Sequence, residues 1–312
     1  MFTKSVGYIY VACSAFFYGT VAIITKYAYR LGIDAKQLAL VQGMFSTLIL
    51  WLVIHFFCPQ LKKIRKGDWK YLMGQGALGS GLSSIFFFGA IRYLPASLAS
   101  VLFFTYPAIV LFLTMLFWGE RVNLLRWFSL ILALGGCVLA LGLGEVQKAE
   151  ISSWGIGLAL GAAFFNALLN ILAQRNLRYN HPLTVTAYAV LFSNISFIIF
   201  AWPVGPKLAT LTLSGWLVAM SLSILSTVLP LLLYFHGAKL IGVGRASVIS
   251  TVELPFTVLL AWLFLKETMT LRQVLGGILI LAAILLLQLE EKIADSFNIE
   301  LKEKKQSFKG LN

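Results

Sequence analysis

One acidic residue of this sequence stands where an apolar environment forces it to have a purpose. Of twelve aspartates and glutamates, eleven fall in loops, at the ends of apolar runs or in the C-terminal tail; Glu253 alone lies near the middle of a run, counted from Arg245 to Leu265. An ionised carboxylate in hydrocarbon is costly unless it faces water or a partner. A group so placed carries a proton, pairs with a cation, or stays protonated against neighbouring backbone, and the residue types leave these three open. Two positions on, Pro255 withdraws a backbone donor and leaves carbonyls of the preceding turn without their usual partner. Pro107 repeats the device, with Tyr106 immediately before it. Tyr18, Gln42, Gln75, Thr105, Asn166, Asn170, Tyr188, Asn194, Thr227 and Thr251 are further polar residues inside apolar runs. Singly, each is more often glue between helices than a ligand. Together they predict a polar lumen in an apolar shell, with Pro107 and Pro255 as its bending points.

The elements that must hold these groups are membrane helices. Apolar residues make up 59% of the 312 positions and charged residues only 12%, far from a soluble mixture. About 20 apolar residues cross the hydrocarbon core, and runs of that length recur: 5–29, 36–57, 69–93, 96–118, 126–144, 153–175, 182–202, 213–236, 245–265 and 271–289. The pattern predicts ten spans and an all-α integral membrane fold. The alternating strands of a membrane barrel are not seen. With both termini cytoplasmic, 17 of the 25 Lys and Arg residues fall on the inner side, as the positive-inside rule requires. The net charge of +13 is then topology rather than affinity for nucleic acid. The basic turn from Cys58 to Asp68 suits anionic headgroups. The tail from Glu290 balances five acids with five lysines and reads as a frayed helix or disorder.

The two proline-interrupted spans are copies. RYLPASLASVLFFTYPAIVLFLTMLFWGE, from Arg92 to Glu120, lies over KLIGVGRASVISTVELPFTVLLAWLFLKE, from Lys239 to Glu267, at a constant offset of 147, which pairs Tyr106 with Glu253. The first span answers the sixth at offset 148, pairing Ala15-Phe16-Phe17 with Ala163-Phe164-Phe165 and Tyr18 with Asn166. The chain therefore divides into repeats at 1–148 and 149–289, with a cytoplasmic tail at 290–312. Five spans per repeat is an odd number, so the second repeat must enter the membrane from the opposite side. That is the inverted repeat of many secondary transporters, and it predicts Tyr106 and Glu253 at similar depth on facing walls.

Small residues mark the close contacts. Gly135-Gly136 and Gly276-Gly277 read as packing positions, whereas QGALGSGLSS from Gln75 to Ser84 suits a cavity wall or a bend. Glu120 and Glu267, at the ends of the copied stretches, are expected to pair with Arg121, Arg126, Lys266 or Arg272. Cys13, Cys58 and Cys137 share no metal-like spacing, and His55, His181 and His236 offer neither a metal set nor a triad. No phosphate-cradling GxxxxGK[ST] is present. The run after Lys4 continues past Ala12-Cys13 without a small-x-small exit, so it reads as a retained first span. A membrane-embedded enzyme would need acids and histidines gathered at the lipid boundary, and the sequence has no such cluster; a channel or a sensor without turnover stays open, although channels usually show filter-like or ring-forming repeats within short segments.

RYLPASLASVLFFTYP, and GRASVISTVELP followed by a closing glutamate, resemble the drug/metabolite transporter superfamily in its EamA-type, ten-span form, over about Val6 to Leu289. The resemblance implies a five-plus-five inverted bundle around a central cavity, alternating access and drive by ion or substrate gradients. Such proteins move amino acids, sugars, nucleosides, other metabolites and toxic compounds, and bacterial members are often exporters. The expectation is a proton- or gradient-coupled exporter of a small organic solute in an inner or plasma membrane, with a channel or sensor as the alternative. It would bind solute and lipid but no nucleic acid, metal or cofactor, and it is compatible with a homodimer. Two positions depart from the family's habit: Leu254 stands between Glu253 and Pro255, and Tyr18-Gly19 replaces Trp-Gly.

Overall fold

A computed structural model describes the backbone of residues 2–33, 35–65, 67–94, 96–119, 122–141, 152–201, 212–266 and 268–309. Every regular element among the described residues is helical, because in lipid a helix satisfies its backbone groups within its own segment. Along the chain these are α1 Phe2–Gly19, α2 Val21–Arg30, α3 Ala35–Phe57, α4 Trp69–Gly74, a π-helical segment Gln75–Leu82, α5 Ser83–Ala90, α6 Ala96–Phe103, α7 Tyr106–Trp118 and α8 Leu124–Ala140. The second half follows with α9 Ser153–Tyr179, α10 Pro182–Ala201, α11 Leu213–Ser223, a π-helical segment Ile224–Val228, α12 Leu229–Ile241, α13 Val243–Ile249, a 3-10 turn Ser250–Val252, α14 Glu253–Leu265 and α15 Leu271–Lys309.

Among the described residues, eight stretches are long and apolar enough to cross a membrane: Lys4–Thr25, Gln37–Phe57, Leu98–Trp118, Ser153–Tyr179, Pro182–Ile199, Leu213–Ile241, Val243–Phe264 and Leu271–Glu290. The third and fifth of the ten expected spans fall short of that measure. The third, α4 to α5, is diluted by the small polar residues of its π-helical segment, and the fifth, α8, is an apolar helix of 17 residues.

Local chemistry fixes most of the ends. Asn123, Ser152 and Thr212 cap α8, α9 and α11 by accepting the amides of Arg126, Gly155 and Gly215, each satisfying a donor the helix leaves free. α7 ends on left-handed Gly119 (φ 62°), and α14 ends on Lys266 in the same conformation (φ 56°). These two positions are 147 apart. Three boundaries differ from expectation. The first span is interrupted at Thr20, whose hydroxyl donates to the Phe17 carbonyl at 2.7 Å. α12 runs on to Ile241, past the expected end at His236. α15 continues without a break to Lys309, where fraying or disorder was expected, because no glycine or proline follows Gly277 until Gly310. Glu120, Arg121, Lys148 and Glu267, and with them the pairings expected of the two glutamates, lie outside the described residues.

α8 packs along α15, α1 along α12, α9 along α5 and the first π-helical segment, and α10 against α3 and that same segment. Glycines set the closest approaches. A Cβ on Gly7 of α1 would meet Ile241 of α12 at 2.6 Å, and a Cβ on Gly155 of α9 would meet Leu94, just after α5, at 2.7 Å. The main buried cluster gathers Val11, Val110, Leu111, Phe235, Ile249, Ile280 and Leu287, and it includes residues of both broken spans.

Candidate functional site

Both broken spans change ladder at equivalent places. In the first, α6 stops at Phe103 and α7 starts at Tyr106; in the second, α13 and its 3-10 turn give way to α14 at Glu253. Pro107 and Pro255 supply no N–H to the preceding turn. Hydroxyls bond backbone carbonyls in the turn that precedes each break. Thr105 donates to Leu102 O at 2.6 Å, Ser250 to Ser247 O at 2.7 Å and Thr251 to Val248 O at 2.7 Å. Each break therefore begins a new helix inside the bundle, with Tyr106 opening one and Glu253 the other.

The breaks open onto a cavity of about 440 Å³ whose wall includes Glu253, Tyr106, Tyr18, Asn166, Asn170 and Gln42. Six of the seven residues expected to bind or couple thus share one space, drawn from α1, α3, α7, α9 and α14. Gln75 does not line it. Fully buried at the start of the π-helical segment, it accepts from Asn176 Nδ2 of α9 at 2.6 Å and ties α4 to α9 instead. The wider register of the π-helical segment carries Ser80, with Ser83 and Ser84 just beyond it, to the cavity in its place. The smallest residues there keep contact with the second half: a Cβ on Gly76 would lie 2.5 Å from Ala189 O, and one on Gly79 would lie 2.6 Å from Leu169 Cα.

Most donors on the wall are turned toward the protein. Tyr106 shares a hydrogen bond with Ser250, at 2.5 Å between their hydroxyl oxygens. Tyr234 donates to Asn170 Oδ1, and Asn170 Nδ2 donates to Asn166 O at 2.9 Å. Gln42 Nε2 bridges Ser226 and Thr227, at 2.8 Å to each. The Tyr18 hydroxyl and Asn166 Nδ2, which also line the space, donate to no described residue. The Glu253 carboxylate likewise has no hydrogen bond or ion pair to any described residue, and it stands in the first turn of α14, where the helix dipole favours negative charge.

Tyr234 is the wall residue that sequence reasoning passed over. Ending the eighth span at His236 put it at the membrane edge; with α12 continuing to Ile241, it lies inside. Its spacing of four from Pro230 was the available signal. Tyr188 is drawn away from the cavity, with its ring stacked on Phe192 at 6.2 Å.

Further polar contacts lie away from the cavity lining. Glu290 receives Arg126 at 3.3 Å and Arg245 at 3.0 Å, both guanidiniums being largely buried, and Asn123 Nδ2 at 3.2 Å. Asp68 accepts from Asn180, whose carbonyl receives Lys239 Nζ at 3.1 Å. The rings of His181 and His236 meet edge to face at 5.6 Å.

Helices long enough to span a bilayer, enclosing a cavity whose described lining includes the unpaired Glu253 carboxylate, define a multi-pass membrane protein built around a solute-sized polar space. The chain belongs to the EamA-like transporter family, whose model matches residues 5–142 and again 153–289, and it is a membrane transporter rather than an enzyme. It is 25% identical over 276 residues to an uncharacterized transporter of Archaeoglobus fulgidus, a match covering 88% of this chain and 94% of that one. It is 24% identical over 265 residues to the pseudopaline exporter CntI of Pseudomonas aeruginosa, covering 83% and 88%. A solved crystal structure superposes with a TM-score of 0.76 over 93% of this chain and 99% of the other, at 16% identity, a likeness of fold.

Proposed function

We propose that this protein is a secondary transporter that exports a small organic solute by alternating access, with Glu253 as the group that exchanges a proton or cation during the cycle. The observation that carries the reading is the Glu253 carboxylate, unpaired among the described residues and facing the cavity at the start of a half-helix. A bilayer-embedded carboxylate left without a partner is retained for an exchangeable one. The transporter works as ten spans in two oppositely inserted units, 1–148 and 149–289, followed by the tail 290–312, in an inner or plasma membrane with both termini cytoplasmic. Exchange of contacts between the halves supports this arrangement: α1 on α12 corresponds to α9 on α5, while α3 with α10 and α8 with α15 each map onto themselves. Asn194 Nδ2 and Thr47 Oγ1, 147 positions apart, meet at 3.4 Å, as equivalent residues do across a twofold axis. The exporter among the relatives favours outward movement.

The test begins with a thermal-shift screen of metabolites on purified protein, since a ligand that binds the native state raises its apparent stability. Ligands found in this way are then assayed for counterflow in proteoliposomes at several pH values. Trans solute is expected to accelerate labelled solute, with a pH dependence that Glu253→Gln removes while expression and folding are kept. A channel or sensor would show no trans acceleration, and an unchanged pH profile in Glu253→Gln would end the coupling role.

A further inference from the structure

The chemistry of the cavity wall narrows the cargo. This step rests on the cavity being the transport site. Among the lining residues there is no lysine, arginine or histidine, and Glu253 is the one charged group. The hydrogen-bond inventory is lopsided in the same sense. Gln42, Asn170, Tyr106 and Tyr234 already donate to or share bonds with protein groups. Ser83 and Ser84 likewise donate to the carbonyls of Ala162 and Ser80, at 2.9 and 3.0 Å. What these groups still offer a guest is chiefly lone pairs; the Tyr18 hydroxyl and Asn166 Nδ2 are neutral donors left to it, and the strongest acceptor of all is the carboxylate.

A buried wall whose charge is the Glu253 carboxylate penalises an anion by like charge and offers it no cation to pair with. A guest with N–H donors and a positive charge meets the carboxylate as a partner. Part of the lining is aromatic. Phe103 and Phe104 line the cavity with Tyr106, their ring centroids 5.5 and 6.4 Å from that of Tyr106, and Phe88 lines it as well. Such faces attract cations within about 6 Å and cover an apolar body. The volume is near the lower end of the range of about 300–1,000 Å³ usual for small-molecule sites.

We propose that the cavity selects an organic ammonium ion, its N–H groups on the Glu253 carboxylate and its apolar or aromatic body against Phe88, Phe103 and Phe104. Glu253 is then a specificity-determining residue as well as an exchangeable one, and the cargo is an amine rather than a sugar, a carboxylic acid or a phosphate ester.

The test is a charge-matched panel: aryl and alkyl skeletons, each as the primary amine, the alcohol and the carboxylate, for example 2-phenylethylamine, 2-phenylethanol and 3-phenylpropionate. Binding to the full-length purified protein is read as a concentration-dependent rise in apparent unfolding temperature. The amines are expected to stabilise the wild type, and the matched alcohols and carboxylates are not. Glu253→Gln is expected to weaken amine binding by about 30-fold or more, the scale of losing one partner of a desolvated charge pair. Phe103→Leu, which leaves the carboxylate in place, should reduce the preference for aryl over alkyl amines. Stabilisation by carboxylates or alcohols equal to that by amines overturns the proposal, as does a panel in which no amine binds. Should Glu253→Gln not fold, the charge series on the wild type still decides. Amine binding without counterflow would refute transport and leave the ligand class standing; counterflow of a non-cationic solute would do the reverse.

Discussion

Two neighbouring glycines of α8 should answer the same substitution in opposite ways. Gly136 faces α15: a Cβ at that position would lie 2.7 Å from the Gly276 carbonyl oxygen, 2.7 Å from Ile280 Cγ1 and 3.1 Å from the Ile280 amide nitrogen. Two of these three are backbone atoms, which cannot turn aside. Restoring ordinary contact means parting the helices by about 0.7 Å at the crossing, and a gap of that order forfeits a quarter to a half of the dispersion energy of each affected contact. With overpacking at about 1–3 kcal/mol and alanine in place of glycine returning about 0.5–1 kcal/mol to the helix, Gly136→Ala should lose about 1–2 kcal/mol. A Cβ on Gly135 would have no atom within 4 Å, so Gly135→Ala should keep the propensity term alone and gain about 0.5–1 kcal/mol. Gly276 and Gly277 on α15 form the reciprocal pair. The Gly276 Cβ would fall 2.6 Å from Ala140 N and Gly136 O, while that of Gly277 meets Pro255 at a comfortable 3.6 Å. The assay is unfolding of the purified variants in mixed micelles titrated with denaturing detergent, followed by tryptophan fluorescence. Equal shifts for Gly135→Ala and Gly136→Ala, or a more stable Gly136→Ala, would refute the reasoning that backbone contact sets this crossing.

Lys266 holds a left-handed conformation that costs a side-chain-bearing residue about 1–2 kcal/mol, at the position equivalent to Gly119. Lys266→Gly should therefore stabilise by about 0.5–1 kcal/mol after glycine's own entropy, and Gly119→Lys should destabilise, both read in the same titration. Glu290→Gln removes the anion that Arg126 and Arg245 share; losing one side of a buried pair costs about 3–5 kcal/mol, visible as a matching drop in unfolding free energy, and an unchanged value would mean the cluster is not energetically coupled. His181 lies between α9 and α10, where burial, then His236 and Lys239, lower its pKa. The unfolded chain then binds the proton more readily, so stability should fall as pH drops through the ordinary histidine value near 6.5. His181→Gln should flatten that part of the pH profile of unfolding, and a profile identical to wild type would exclude His181 as its source.

The polar residues were legible because membrane sequence is a sparse code: a lone Glu253 or Asn170 among leucines stands out whatever surrounds it. The copied stretch gave the equivalence of Tyr106 and Glu253 by arithmetic. Gln75 shows where such reading stops. It is as polar and as central to its run as Gln42, yet a π-helical register turns it to Asn176 while Gln42 reaches the cavity. Tyr234 was lost for a related reason, since an apolar run grading into the interface does not mark where its helix ends.

Composition and the 147-residue echo determined, by themselves, a helical membrane protein with one exceptional carboxylate and two proline breaks, because burying a charge or deleting an N–H in lipid is costly whatever the packing. Tertiary structure alone decided which polar groups are used up. The pairing of Tyr106 with Ser250, Tyr234 with Asn170 and Gln42 with Ser226 and Thr227 joins residues from distant parts of the chain, and those bonds leave Glu253 as the charged acceptor of the described cavity lining. Which glycines touch and which lie open was decided there as well, since a helix crossing is set by the meeting of two surfaces and neither sequence contains the other's angle.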